Sequence, residues 1–308
     1  FRKDAPAVVD LRTMGLDGPV KDQQQVGVCW AFALSTVMEN AVRRQGRSDI
    51  VAPLHLIATD AFRDLFAKGT TDGPMTLEPS WAYDPAKACK LKADPEPWCG
   101  ATYHVEQGSW RSDPVLVSEV DRANRSGVVT VVSVEKLPLR SFDAVASVLA
   151  DGRAAYLAFD IGEGWHRLAT DAVPDYAVAD GGKHAVVAVG SRTNGPRGRE
   201  ILIHNSWGPG WGAGGYAWIS EETVRRHNID AFVVEVKAVG PAAPPPGGTA
   251  GGFPFPLPIP GFGPPPNGGA QPSVAACAAG QVSDRLTGAC TSRCANGTAP
   301  ANGLCLPF

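Results

Sequence analysis

No stretch of this 308-residue chain holds the ~20 consecutive apolar residues needed to span a bilayer. Charge is scarce and lacks a dominant sign: charged side chains make up 19%, and 28 basic against 31 acidic groups leave −3 at neutral pH. That balance gives no electrostatic basis for capturing nucleic acid or an anionic membrane, so neither is expected as a partner. Metal-ligand spacing is also missing. His55, His104, His166 and His227 stand apart and read as surface or structural residues, and no paired C-x2-C knuckle occurs. What the chain does have is 44% hydrophobic residues, enough for a sizeable core, and a length suited to about two domains at ~150 residues each. It opens Phe1-Arg-Lys-Asp, with neither Met nor a charged-then-apolar leader, and is expected to be a processed form.

Composition divides the chain into three parts. Residues 1–237 are of ordinary mixed composition. Residues 238–272 hold twelve Pro and nine Gly and no charged residue, so they read as a linker that cannot build a helix or sheet interior. Fully extended, it would span on the order of 100 Å at ~3.1 Å per residue. Within it, Phe253-Pro-Phe-Pro-Leu-Pro-Ile-Pro260 favours polyproline II. The plain reading of 253–260 is a stiff tether; the sharper one is intramolecular docking on the preceding domain, in or near its cleft. Residues 273–308 carry Cys277, Cys290, Cys294 and Cys305 and few large apolar side chains, so apolar burial alone could not fold them. They read as a disulfide-stapled mini-module, with a four-thiolate zinc site as the competing reading. A surface or matrix ligand for this module is one expectation, though its residues name none.

Seven cysteines are an odd number. Pairing the four in the tail, and Cys89 with Cys99, leaves Cys29. An unpaired thiol in an otherwise oxidised chain is either a buried filler or a reactive group. Disulfides would place the protein in an oxidising compartment, secreted or otherwise extracytoplasmic.

Within the first part, Trp30, Ala33, Leu34, Val37, Met38, Ala41 and Val42 form a stripe of 3.6-residue period, and Gly46 follows its basic end, predicting a helix. A second helix is expected over 54–66, after Pro53. Later segments are short, β-branched and bounded by Gly, Pro or Asn: 128–134, 154–159, 185–189, 200–203, 216–219 and 232–236. Helices first and strands later make an α+β pattern.

Three residues carry chemistry. Cys29 sits at the first turn of the Trp30 helix, where the helix dipole and unsatisfied N–H groups favour thiolate. His184 follows Gly181, Gly182 and Lys183 and heads an apolar strand. Asn205 opens a glycine-rich loop containing Trp207 and Trp211, and an Asn oxygen can hold an imidazole in one tautomer while an indole shields the bond. His204 competes by proximity, but neighbours along a strand point to opposite faces.

Val20-Lys-Asp-Gln-Gln-Gln-Val-Gly-Val-Cys-Trp-Ala-Phe32, Lys183-His-Ala-Val186 and His204-Asn-Ser-Trp-Gly208 with Gly210-Trp-Gly212 resemble the papain-like cysteine peptidases, in that family's order of Gln, Cys, His and Asn. Val9-Asp-Leu-Arg12 resembles the family's mature N-terminus. The resemblance covers about residues 8–236. It implies a two-lobed α+β fold with a cleft between a helical lobe, about 20–110, and a β-rich lobe, about 111–237, joined by the N-terminal segment. It implies Cys29 as nucleophile, His184 as general base and acid, Asn205 orienting His184, Gln23 in the oxyanion hole beside the Cys29 N–H, and Trp207 as shield. It implies peptide or protein substrates and no metal or organic cofactor.

The chain also departs from the family pattern. Val26 stands where relatives often have a disulfide-bonded Cys, and no Cys lies between residues 30 and 88 to pair there. The Cys-Asn-Gly-Gly stretch that lines the family's cleft is missing, so substrate-binding residues are not carried over. Lys183 stands where relatives often have Asp or Asn, and like-charge repulsion from it is expected to depress the His184 pKa. The reading is an endopeptidase. The alternatives are a peptide ligase or amidase on the same site, and a non-catalytic binding protein on a peptidase fold.

Overall fold

The computed structural model describes residues 6–92 and 97–240, and beyond them only the backbone of four short strands. The central element is α1 (Cys29–Arg43). Its stripe predicts one apolar face, yet every residue from Ala31 to Val42 is buried. Several polar groups on the second face find partners in the chain around them, although Glu39 Oε2 is buried without one. Lys21 donates to Ser35 Oγ and Glu39 Oε1, and Asn40 bonds Leu16 O, Gly152 O and Ala154 N. A helix enclosed on all sides is a rigid platform for the residue at its first turn.

The helix expected over 54–66 is two helices, α2 (Pro53–Ala58) and α3 (Ala61–Lys68). Asp60 between them takes a left-handed backbone, φ 50°, and Thr59 Oγ1 donates back to His55 O, closing the first helix. Next come α4 (Pro85–Leu91), α5 (Pro97–Ala101) and α6 (Pro114–Arg125). Asp84 caps α4 and Asp113 caps α6, each followed by a proline whose missing N–H costs nothing at that position. Cys89 and Cys99 form a disulfide. Glu119 of α6 accepts from Trp81 Nε1 and Lys87 Nζ, tying α6 to the helical side.

The sheet is built from β1 (Val8–Asp10), β2 (Val129–Lys136), β3 (Ala155–Ile161), β4 (Gly182–Gly195), β5 (Gly198–His204), β6 (Tyr216–Ser220) and β7 (Asn228–Ala238). Its order is β2-β7-β3-β4-β5-β6, with β1 also on β4, and every pairing is antiparallel. Each expected strand overlaps one of these, with 128–134 and 154–159 each starting one residue early. Two helices, α7 (Phe142–Ala150) and α8 (Glu221–His227), interrupt the strand-rich half. The fold is α+β. Helix α1 packs against β3, β4 and β7, and this contact carries the core between the two halves. At Gly190 a side chain would meet Val9 O at 2.7 Å, so only glycine lets β1 close onto β4 there.

Residues from Pro246 onward form a separate unit. Its described part is a four-stranded sheet of β8 (Val282–Ser283), β9 (Cys290–Thr291), β10 (Thr298–Ala301) and β11 (Leu304–Pro307), in the order β10-β11-β8-β9. Cys277 and Cys294, the side chains of Cys290 and Cys305, the linker from 241 and the 253–260 segment lie outside the described residues. Among the described residues, no helix is long and apolar enough to cross a membrane.

Candidate active site

Cys29 is the first residue of α1, half-buried, and the free cysteine among the described residues. The backbone amides of Ala185 on β4, of Trp30 and of Cys29 itself lie near its sulfur and favour its charged form. Burial is the larger effect and pushes the thiol pKa up; these amides and the charge of Lys92 oppose it. The helix start alone predicts a thiolate; enclosure of the sulfur reverses the direction.

Ala185 is the residue after His184, so the strand that acts on the sulfur also carries the imidazole. His184 is buried, and its Nε2 lies 2.7 Å from Asn205 Oδ1. Since that oxygen can only accept, Nε2 carries the hydrogen and Nδ1 keeps the free lone pair. Asn205 Oδ1 also accepts from the Ser206 N–H at 2.8 Å, which fixes the amide's orientation. Burial lowers the His184 pKa to about 4, helped by the charge of His166 and opposed by the Asn205 bond. Lys183 has no part in this. It is exposed and next to His184 on a strand, so it points to the other face, and the expected like-charge effect from it is corrected to burial.

Gln23 is buried and doubly anchored. Oε1 accepts from Ser206 Oγ at 2.7 Å, and Nε2 donates to Val26 O at 2.9 Å. One Nε2 hydrogen is left over. The Gln23 N–H donates to Ser206 O and its carbonyl accepts from Tyr83 OH, so this loop segment is pinned from both halves of the domain. Trp207 stacks on His184, with ring centroids 4.2 Å apart and planes 25° apart.

The structure thus brings Gln23, Cys29, His184, Asn205 and Trp207 together, and sets His204 elsewhere. His204 bonds the Asp17 carboxylate at 2.9 Å, and Tyr216 OH donates to the same group. His55 bonds Asn124 and the Thr76 N–H, and His227 bonds Tyr176 O, so both are structural. Three residues escape a reading of the sequence. Ser206 anchors Gln23. Trp165, fully buried, sets its ring edge toward His184 at 6.3 Å. His166, expected to be bland, is exposed but stacks on Trp207 at 5.3 Å. Ser206 was within reach, because it lies between two residues already singled out; a lone His has no local signal. Among the described residues, no group of His, Cys, Asp and Glu could hold a metal ion.

The family model of papain family cysteine proteases matches residues 5–236, three-quarters of the chain. This chain belongs to that family. It is 27% identical over 216 residues to cysteine endopeptidase Rep1 of Oryza sativa, covering 70% of this chain and 53% of that protein. To digestive cysteine proteinase 2 of Homarus americanus it is 27% identical over 219 residues, 69% of this chain and 60% of that protein. To human cathepsin L2 it is 26% identical over 235 residues, 71% and 62% respectively. The chain thus spans little more than half the length of these curated relatives. Among solved structures, the Amb a 11 cysteine protease of ragweed pollen in its proform superposes with TM-score 0.56 at 19% identity, over 76% of this chain and 66% of that one. Procathepsin L 3 from the larval midgut of Tenebrio molitor gives 0.54 at 18%, over 76% and 71%. These two likenesses speak to the fold.

Proposed function

We propose that residues 1–237 are a cysteine endopeptidase domain that hydrolyses peptide bonds through an acyl-enzyme on Cys29. The observation that carries this reading is the arrangement around His184 on β4: its Nε2 bonds Asn205 Oδ1 at 2.7 Å under the Trp207 ring, while the amide of its neighbour Ala185 acts on the Cys29 sulfur. Family membership and the names of the relatives support it.

Burial works against charge on both the thiol and the imidazole, so the proposed attack is coupled to transfer of a proton between them. As the sulfur adds to the peptide carbonyl carbon, the thiol proton passes to His184 Nδ1. The carbonyl π electrons move to oxygen, and this oxyanion takes the spare Gln23 Nε2–H and the Cys29 N–H. The C–N bond then breaks, and His184 gives its proton to the leaving amine. Water, deprotonated by His184, attacks the thioester; the C–S bond breaks and the sulfur recovers a proton. Asn205 holds the productive tautomer throughout, and the Trp207 indole lowers the local dielectric around that bond.

The domain reading includes 238–272 as linker and 273–308 as a separate module. The Cys89–Cys99 disulfide favours an oxidising, extracytoplasmic setting. The test is active-site titration of the full chain with an irreversible epoxysuccinyl peptide inhibitor, followed by mass spectrometry. One equivalent on Cys29, with loss of peptide hydrolysis in step, is expected. Labelling without loss of hydrolysis, or hydrolysis retained in Cys29→Ala, would overturn the assignment.

A further inference from the structure

The indole of Trp207 carries two imidazoles. Buried His184 stacks on it at 4.2 Å, and exposed His166 stacks on it at 5.3 Å with planes only 19° apart. His184 is the buried ring of the stack and His166 the solvent-exposed one. His166 is itself fixed: its Nε2 lies 3.0 Å from Gly181 O, so Nε2–H donates to the segment that leads into His184. Gly181 is held in turn by its N–H to Ile161 O, and a side chain there would meet the Gly162 backbone at 2.7 Å. Just before His166, Trp165 is fully buried and its carbonyl accepts from Trp211 Nε1, while Trp211 meets Trp207 edge-on at 5.9 Å. The turn bearing His166 is thus bolted to the loop bearing Trp207 and to the strand bearing His184.

We propose that His166 is a positioning residue: by stacking on Trp207 it holds the indole against His184 and keeps water from the His184–Asn205 bond. Trp207 is only half-buried, and its own loop is rich in glycine, so the loop alone does not fix the ring. A second parallel ring restricts its rotation and covers apolar surface otherwise open to water. The role is indirect, since His166 touches neither the sulfur nor Asn205 in any described contact. The charged groups around the stack include Glu163 and Arg167 near His166, Asp180 holding the Glu163 N–H, Lys183 beside His184, and Asp22, whose backbone bridges to Trp207.

The proposal rests on His184 being the catalytic imidazole, but one arm of its test needs no substrate. In the full chain, the titration of His184 is followed by NMR of 15N-labelled histidine, in wild type, His166→Ala, His166→Gln and His166→Phe. Wild-type His184 is expected to titrate near 4. Loss of the exposed ring in the Ala and Gln variants admits water and moves that titration up by roughly one unit or more. The Gln variant keeps a donor for Gly181 O, so it separates loss of the ring from loss of the turn's hydrogen bond. His166→Phe keeps the ring but lacks the His166 charge that helps hold the His184 pKa down, so it is expected to titrate between wild type and the Ala and Gln variants, and the share of the ring is read from the gap between Phe and Ala. Peptide hydrolysis forms the second arm: kcat falls about tenfold in the Ala and Gln variants with KM little changed, and Phe restores it. An unmoved His184 titration in both Ala and Gln overturns the proposal, as does a Phe variant that behaves like Ala. A shifted titration in an inactive wild type would instead overturn the peptidase reading and leave the stack intact.

Discussion

At the scale of single residues, Gln23 shows how an amide is readied for work. Two anchors, Ser206 Oγ on its oxygen and Val26 O on its nitrogen, leave one N–H without freedom to turn away. In the proposed mechanism Gln23→Ala removes that donor and lowers kcat by about 10²–10³-fold with little change in KM. Ser206→Ala frees the oxygen but leaves the donor in place, so about a tenfold loss is expected in the same steady-state assay. His184 sets the acid limit. With a pKa near 4 it stays neutral and able to take the thiol proton through most of the acid range, and kcat/KM falls tenfold per pH step only below about 4. Lys183→Ala is expected to leave that limb in place, because burial and not Lys183 lowers the His184 pKa; a limb that moves up in this variant would restore the like-charge explanation.

At the scale of elements, capping chemistry sorts what was legible from what was not. The α1 stripe and six short β-rich segments place the main helix and the sheet, and the family motifs place Cys29, His184 and Asn205 on them. Helices α6, α7 and α8 were readable only from their caps: Asp113 before Pro114, Ser141 before Phe142, and Ser220 before two glutamates with Arg225 and Arg226 at the far end. Helices α6 and α8 mix apolar with charged residues, and α7 is apolar at most of its positions and short, so periodicity gives them little weight. The break between α2 and α3 hangs on the left-handed Asp60, which no pattern announces. His166 was beyond reach because its meaning comes from a Trp brought to it by the fold. The Asp17–His204 contact is likewise tertiary. It fastens the loop after β1 to β5, inside the protein. Burial raises the Asp17 pKa, but the charge and hydrogen bond of His204, with Tyr216 OH and the Gly18 N–H, bring it below the usual carboxylate value. That stabilisation is present above the ordinary Asp pKa of ~3.9 and is lost as pH falls through the lower folded value. Asp17→Asn weakens the buried hydrogen bonds to His204 and Tyr216 OH and is expected to cost about 1–3 kcal/mol, read as a lower denaturant midpoint at neutral pH. A midpoint within error of wild type would show that the contact does not hold the loop.

At the scale of the whole molecule, the domain holds a disulfide and a free thiol, which the proposed mechanism expects to respond oppositely to reductant. Cys89–Cys99 closes a loop with sequence separation 10, for which cross-linking gives about 3 kcal/mol. Mild reductant should therefore preserve Cys29, while Cys89→Ser with Cys99→Ser lowers the melting temperature without abolishing hydrolysis. The extent of the domain is the remaining question at this scale. Strand β7 pairs with β2 up to Ala238↔Val129, Val239 N–H donates to Val128 O, and Arg47 donates to Gly240 O. Each backbone group up to Gly240 that is tied in this way belongs to the sheet or its edge, and the core of the first unit is complete by Val236. A chain ending at Gly240 is accordingly expected to keep the melting temperature and the kcat/KM of the full chain. Ending it at Ile229 removes β7 from between β2 and β3, strips Phe232 from its stack on Tyr156, and should not fold. Comparing the full chain with the 1–240 chain also decides the fate of 253–260. Equal melting temperatures and equal KM leave that segment as a tether, whereas a clear drop in melting temperature on truncation would mean that the excised part docks on the domain.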